Sequence, residues 1–270
     1  MGILNVTPNS FFDGGRYLAL EQAVAHGLRL VQSGADILDI GGESTRPGSE
    51  PVSEDEEKGR ALPVVKALSS QTRIPISIDT CKAPVAREAL ENGASMINDV
   101  SALRRDPEMT EVVRHYGCPI VLMHMQGTPN TMQNNPLYRD VLKEVMDFFR
   151  ERLTFALGQG ISREQIILDP GIGFGKRLEH NLALLKNLEQ LKSLGCPIMV
   201  GASRKSFISH CAASPEGKEI PPEMRLPGSL SAAIWAAQAG ADLLRVHDVK
   251  ETRQALLLHS SIRNGSCATS

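Results

Sequence analysis

An excess of charge of either sign is missing from this sequence: 29 lysines and arginines stand against 31 aspartates and glutamates, a net of −2. That balance removes bulk electrostatic attraction as a route to nucleic acid or to an anionic membrane surface. Long apolar runs are missing too, with no stretch of the roughly 18 residues that a membrane span needs. The opening Met1-Gly2-Ile3-Leu4-Asn5 lacks the basic region and apolar stretch of a secretory signal. No nucleic-acid or membrane partner is therefore expected, and a cytoplasmic location is. Cysteine is sparse: Cys81, Cys118, Cys196, Cys211 and Cys267 have the spacing of neither a disulfide framework nor a zinc site. They read as small buried or half-buried thiols. Phenylalanine occurs only seven times, yet Phe11 and Phe12 are adjacent in a glycine-flanked loop.

What is present is a regular alternation. Short β-rich runs fall near 3–6, 37–40, 74–78, 96–98, 120–123, 166–168, 198–200 and 243–246. They are almost continuously apolar, as in parallel strands covered by helices. Helical patterns lie between them, near 18–33, 54–69, 84–92, 108–115, 138–158, 180–194, 228–239 and 249–260. Ser33-Gly34-Ala35-Asp36, Asn92-Gly93-Ala94-Ser95 and Ala239-Gly240-Ala241-Asp242 echo one another, each closing a helix and opening a strand. Glycine suits that point because a helix often ends on a residue with positive φ. Eight strand-helix units in 270 residues predict an α/β protein, a (β/α)8 TIM barrel filling residues 1–270 as one domain, with 264–270 a frayed tail. A doubly wound open sheet is the competing arrangement. An irregular stretch is expected at 214–227, which carries four prolines.

Polar residues are almost absent inside the strands and gather just after them, where barrel enzymes keep their active sites. Asp79 and Asp169 end buried strands, and Asn98 ends a third. A carboxylate there is costly unless paired. Such a set can read the donor-rich edge of a flat nitrogen heterocycle, or hold a divalent metal; residue type alone does not decide. Lys205, in Ser203-Arg204-Lys205-Ser206, can donate to a carbonyl or ring nitrogen, or form a Schiff base. Arg46, Arg245 and His247 together point to a phosphate or diphosphate. Gly171-Ile172-Gly173-Phe174-Gly175 lacks the Gly-Lys-Ser/Thr ending of a nucleotide phosphate loop. It reads as backbone passing close to a ligand, with Phe174 as a flat wall.

Taken in order along the chain, these segments resemble the dihydropteroate synthases. The resemblance rests on Met1-Gly2-Ile3-Leu4-Asn5-Val6-Thr7-Pro8, Asp13-Gly14-Gly15 and Gly42-Glu43-Ser44-Thr45-Arg46-Pro47-Gly48. It continues in Ser77-Ile78-Asp79-Thr80, Ile97-Asn98-Asp99, Met123-His124-Met125-Gln126-Gly127, Asp169-Pro170-Gly171 through Lys176, Ser203-Arg204-Lys205-Ser206 and Arg245-Val246-His247-Asp248.

The resemblance implies an enzyme joining 6-hydroxymethyl-7,8-dihydropterin diphosphate to 4-aminobenzoate, giving 7,8-dihydropteroate and diphosphate. In that pattern Asp79, Asn98, Asp169 and Lys205 hold the pterin. Met123 and Phe174 line it, and Arg245 packs over the ring. Asn5, Thr45, Arg46, Arg245 and His247 meet the diphosphate, with Asn5 the protein ligand of Mg²⁺. Phe11, Thr45, Pro47 and Ser203 form the aminobenzoate subsite, where sulfonamides compete in the family. Asp79, Asp169, Lys205 and Arg245 are the expected catalytic set, and the family is typically homodimeric through helices far from the mouth. Two departures fall in the first loop: Asn9 replaces an aspartate and Phe12 a serine. Three other functional classes compete: a pterin-dependent methyltransferase domain, a phosphate-binding barrel aldolase with Lys205 as its Schiff base, and a non-catalytic pterin-binding protein.

Overall fold

The computed structural model describes residues 1–7, 16–46, 48–212 and 219–266. Eight parallel strands alternate with helices in chain order: β1 (Gly2–Asn5), α1 (Arg16–Gln32), β2 (Leu38–Gly41), α2 (Glu54–Ser69), β3 (Ile76–Asp79), α3 (Ala83–Glu91), β4 (Met96–Asp99), α4 (Met109–Tyr116), β5 (Ile120–Met123), α5 (Val141–Gly158), β6 (Ile166–Asp169), α6 (Leu178–Lys186), α7 (Leu188–Leu191), β7 (Met199–Val200), α8 (Ser206–Cys211), α9 (Leu226–Gln238), β8 (Leu243–Leu244) and α10 (Val249–Asn264). Strands β1 to β6 pair in sequence order, and β7 pairs with β8. Two bridges complete the ring, Leu168 with Ile198 and Gly2 with Val246. Ile3 N donates to Val246 O and Val246 N to Met1 O, both at 3.0 Å, so the last strand closes on the first. Closure disposes of the open-sheet alternative: this is a (β/α)8 barrel.

The strand runs are continuously apolar because both faces are covered. Outward side chains such as Leu38, Ile40, Ile76, Ile78, Ile97 and Leu122 pack against the helices in one large core. Inward ones meet in a smaller cluster, where Met96, Val121 and Met199 pack with Met1, Ile37, Ile167 and Leu243 and fill the lower barrel. Full burial of each such side chain contributes about 1.5–3 kcal/mol. The lumen is not wholly apolar, however. Asp39 and Ser77 lie within strands and are fully buried, contrary to the expectation that polar groups follow the strands.

Several element boundaries differ from expectation. The helix expected from 138 starts at Val141, because the Asp140 side chain caps it by accepting from Lys143 N at 3.0 Å. The helix expected over 180–194 breaks at Asn187, whose amide bonds back to Ala183 O at 2.8 Å. Helix α8 follows directly from Lys205, where only a turn is legible in the sequence. Pro227 sits in the first turn of α9, so the irregular stretch ends sooner than expected; 213–218 fall outside the described residues. Among the described cysteines, Cys81, Cys118 and Cys196 are buried, but Cys211 at the end of α8 is exposed. No described helix is long and apolar enough to cross a membrane.

Candidate active site

Strand pairing puts the predicted residues on one rim. The register sets Asn5 beside Gly41, Gly41 beside Asp79, Asp79 beside Asn98, and Met123 beside Asp169. Their order around the barrel follows from that pairing alone. What the side chains do depends on a residue from the far end of the chain. Arg245 leaves β8 and crosses the lumen, donating from Nε to Asp39 Oδ2 at 2.6 Å and from Nη2 to Asp79 Oδ2 at 2.7 Å. Asn98 Nδ2 donates to the same Asp39 oxygen at 3.1 Å. Asp39, Asp79, Asn98 and Arg245 are thus one hydrogen-bonded network.

Two buried carboxylates share that one guanidinium. Burial, followed by the nearby Asp39, Glu57 and Asp99 charges, outweighs Arg245 and pushes the Asp79 carboxyl up to about 8. The shared carboxylates push the Arg245 guanidinium upward against its own burial. Asn98 Oδ1 and Asp39 Oδ1 are buried with no hydrogen-bond partner among the described residues. Orphaned acceptors at the base of a polar pocket suit a ligand edge rich in donors.

The opposite wall comes from β6 and β7. Asp169 is buried and accepts from Gly171 N at 2.8 Å. Burial raises its carboxyl, opposed first by the Lys205 charge. Lys205 Nζ donates to Ile172 O and lies 4.4 Å from the centre of the Phe174 ring. Burial lowers its ammonium to about 8, partly offset by Asp169. Phe174 packs on Met123, Met125, Val100 and Cys81, which make an apolar side to the pocket. The turn that carries Phe174 needs glycine: Gly171 has φ +66°, and a Cβ there would sit 2.0 Å from His124 O. Lys176, almost fully buried, ties this turn to the β5 loop through His124 Nδ1 at 2.9 Å and Phe174 O at 3.0 Å.

At the outer edge Ser203 Oγ meets His247 Nδ1 at 3.1 Å. Burial, with the positive charges of Arg245, Arg204 and Arg46, lowers the His247 imidazole to about 4. His247 is thus neutral at pH 7, with Arg245, Arg204 and Arg46 the cations near it. Arg46 itself is exposed. Thr45 lines a cavity of about 610 Å³ together with Asp79, Cys81, Val100, Arg105 and Met125. Phe11, Pro47, Asn9 and Phe12 lie outside the described residues.

Sequence reasoning missed Asp39. Its only signal was one carboxylate inside the otherwise apolar Leu38-Asp39-Ile40, a placement that demands a partner. Arg204, part of the predicted Ser203-Arg204-Lys205 motif, spends its guanidinium on Asp248, Nε donating to Oδ2 at 2.9 Å. Burial holds the Cys81 thiol well above its ordinary range, so it is neutral and unreactive in this pocket.

A closed barrel with an acceptor-lined pocket, a flat aromatic wall and a cationic edge defines a class that binds an aromatic heterocycle at the C-terminal strand ends. The family described as Pterin binding enzyme matches residues 1–247. A dihydropteroate synthase from Synechocystis is 48% identical over 254 residues, 94% of this chain and 86% of the relative. The Xanthomonas albilineans dihydropteroate synthase solved with 4-aminobenzoic acid superposes with a TM-score of 0.90 at 48% identity, covering 97% of this chain and 92% of that one. The same enzyme in complex with 7,8-dihydropteroate gives a TM-score of 0.86 at 45% identity over the same shares. The chain is a pterin-binding barrel enzyme, and within that class it belongs to the dihydropteroate synthase family.

Proposed function

We infer that this enzyme condenses 6-hydroxymethyl-7,8-dihydropterin diphosphate with 4-aminobenzoate to give 7,8-dihydropteroate and diphosphate. The observation that carries the reading is the pairing of a buried acceptor floor, Asp79, Asn98 and Asp169, with the Lys205–Phe174 wall on one rim. The X. albilineans relative, solved with 4-aminobenzoic acid, one substrate, and with 7,8-dihydropteroate, the product, supports the same reaction for this chain.

In this reading Asp79, Asn98 and Asp169 accept from the donor edge of the pterin, and Lys205 donates to it. Met123 and Phe174 flank the ring, and Arg245 packs over it. Thr45, Arg46, Arg245 and His247 face the diphosphate; Phe11, Thr45, Pro47 and Ser203 form the arylamine subsite. The C–O bond to diphosphate breaks and its electron pair leaves with the phosphate. The pterin methylene becomes cationic, the arylamine lone pair forms the new C–N bond, and the arylamine proton passes to water. No enzyme base or covalent intermediate is required. Asp79 is costly to ionise in the free site. It gains most when positive charge develops beside it, which is selective stabilisation of the transition state.

We also propose that Mg²⁺ accompanies the diphosphate. Asn5 would supply one hard oxygen at the end of β1. One protein oxygen suits Mg²⁺, which usually keeps several waters and takes substrate phosphates as its other ligands. The ion would supply charge neutralisation of the leaving group. The functional unit is proposed to be a homodimer: Trp235, Leu258 and Ile262 on α9 and α10 are 51%, 62% and 72% exposed, away from the mouth. A cytoplasmic setting fits the free thiols of Cys81, Cys118, Cys196 and Cys211.

Diphosphate release from the pterin substrate, with and without 4-aminobenzoate, tests the reaction. Release coupled to dihydropteroate formation is expected. Release with no coupled product would refute the synthase reading.

A further inference from the structure

An ionic cluster on one side of the mouth, whose Glu43, Glu57 and Arg105 line the cavity shared with Thr45 and Asp79, holds neither substrate in the assignment above. Its centre is Lys82, at the start of α3. Its backbone is fixed: Lys82 N donates to Thr80 Oγ1 at 3.2 Å, and the next amide, Ala83 N, donates to Asp106 Oδ2 at 2.8 Å. From there Lys82 Nζ reaches back to two carboxylates, Oε2 of Glu43 in the loop after β2 and Oε2 of Glu57 on α2. The Glu57 side chain is 1% exposed and those of Lys82 and Glu43 are 15% and 14% exposed. Arg105, from the loop after β4, stands 3.5 Å from the other Glu43 oxygen. Two carboxylates and two cations thus join the loops after β2, β3 and β4 to one helix.

The cluster acts on one segment. Glu43 precedes Thr45 by two residues and Arg46 by three. Beside it the loop backbone lies flat on α2: Arg60 Nη1 donates to Gly42 O at 3.0 Å, and a Cβ on Gly42 would approach Glu57 O to 2.9 Å. Further out, Ser49 Oγ contacts Ser44 O at 2.5 Å and Arg46 O at 2.7 Å, and Gly48 N donates to Pro129 O at 3.2 Å. The loop therefore has an ion-paired root and an outer part held by hydrogen bonds between neutral groups. An ammonium held between two largely desolvated carboxylates makes strong, geometrically specific bonds. Loss of Lys82 would leave Glu57 buried without its cation and free Glu43 to follow solvent.

We propose that Lys82 is a positioning residue for the reaction: by holding Glu43 against buried Glu57 it fixes the root of the 42–50 loop, and so the place at which Thr45 and Arg46 meet the arylamine and the diphosphate. The role rests on the functional reading above. The effect falls mainly on the loop, because no bond from the Lys82 ammonium reaches Asp79, Asn98, Asp169 or Lys205, and Glu57 acts on the floor only through its charge on Asp79. The pterin floor stays in place while the loop tip is misplaced.

The test compares Lys82→Met, Lys82→Arg and the double variant Glu57→Gln/Lys82→Met. The double variant removes the buried carboxylate along with its cation and so keeps the fold if the single change does not. Coupled product formation gives the KM for 4-aminobenzoate, and equilibrium binding of 6-hydroxymethyl-7,8-dihydropterin, without its diphosphate, gives pterin affinity. The Met variants should raise the arylamine KM about tenfold or more with pterin affinity held within about twofold, and Arg should recover much of the loss. An unchanged arylamine KM in a folded Met variant overturns the proposal. Equal loss of pterin affinity and arylamine KM overturns it too, since that pattern marks general damage to the fold. Absence of coupled product from the unaltered enzyme would instead refute the reaction itself.

Discussion

Arg245 Nη2 lies 2.7 Å from Asp79 Oδ2, a bond between the end of the eighth strand and the end of the third, across the barrel mouth. Its guanidinium also holds Asp39, so one cation balances two buried carboxylates. Arg245→Met should therefore cost about 3–5 kcal/mol, measured by urea unfolding, because both acids lose their partner. Adding Asp39→Asn should restore part of that loss. A double variant no more stable than the single one would show that the Asp39 pairing carries little weight.

The two walls of the pocket titrate in the same range. Asp79 sits near 8 because burial penalises its ionised form; Lys205 sits near 8 because burial penalises its charged form. The ionised carboxyl and the protonated amine are the active pair, so kcat/KM should rise and then fall about a maximum near pH 8. Asp79→Asn should remove the acid limb and lower the rate far more than it lowers stability. Lys205→Arg should remove the alkaline limb. Retention of both limbs in either variant would reassign them, and near-wild-type turnover in Asp79→Asn would sink its role in charge stabilisation.

Lys205 should also cost the fold something. Its folded-state value, about 8, is below the ordinary 10.5, so below pH 8 the native state carries a buried ammonium that the unfolded chain solvates freely. Between about 8 and 10.5 the unfolded state binds more protons, and stability rises with pH. Lys205→Met should raise Tm by roughly 2–4 °C near pH 7. The gain should fade toward pH 10.5. A gain independent of pH would mean packing, not charge, is responsible.

Glycine carries the ligand-facing turn after β6. Gly171→Ala puts a methyl carbon 2.0 Å from His124 O in a backbone with φ +66°. It should cost at least about 3 kcal/mol or prevent folding, from strain plus backbone collision. Gly117→Ala, with φ +61° and nothing within 4 Å, isolates the conformational part and should cost about 1–2 kcal/mol. Equal losses in urea titrations of the two variants would remove the collision from the account.

Much of the barrel could be read from local chemistry. Eight apolar runs separated by helical periods define strand-helix units, since burial on both faces requires continuous apolarity. Asp79, Asn98 and Asp169 stand out because a polar group closing such a run needs a reason. The break at Asn187 and the short α8 were not legible, because each depends on a few local hydrogen bonds that periodicity averages away.

The sequence by itself determined the strand-helix count, the polar rim and, through ordered motifs, membership of one family. Tertiary structure decided closure, partnership and charge state. Whether 246 meets 2 is a matter of sheet curvature, which no local pattern encodes. That Asp39 pairs with Arg245 follows from the same closure, because 206 residues separate them and only the ring brings their strands side by side around β1. The titration of Asp79 and Lys205 depends in turn on the water that this closed, packed mouth excludes.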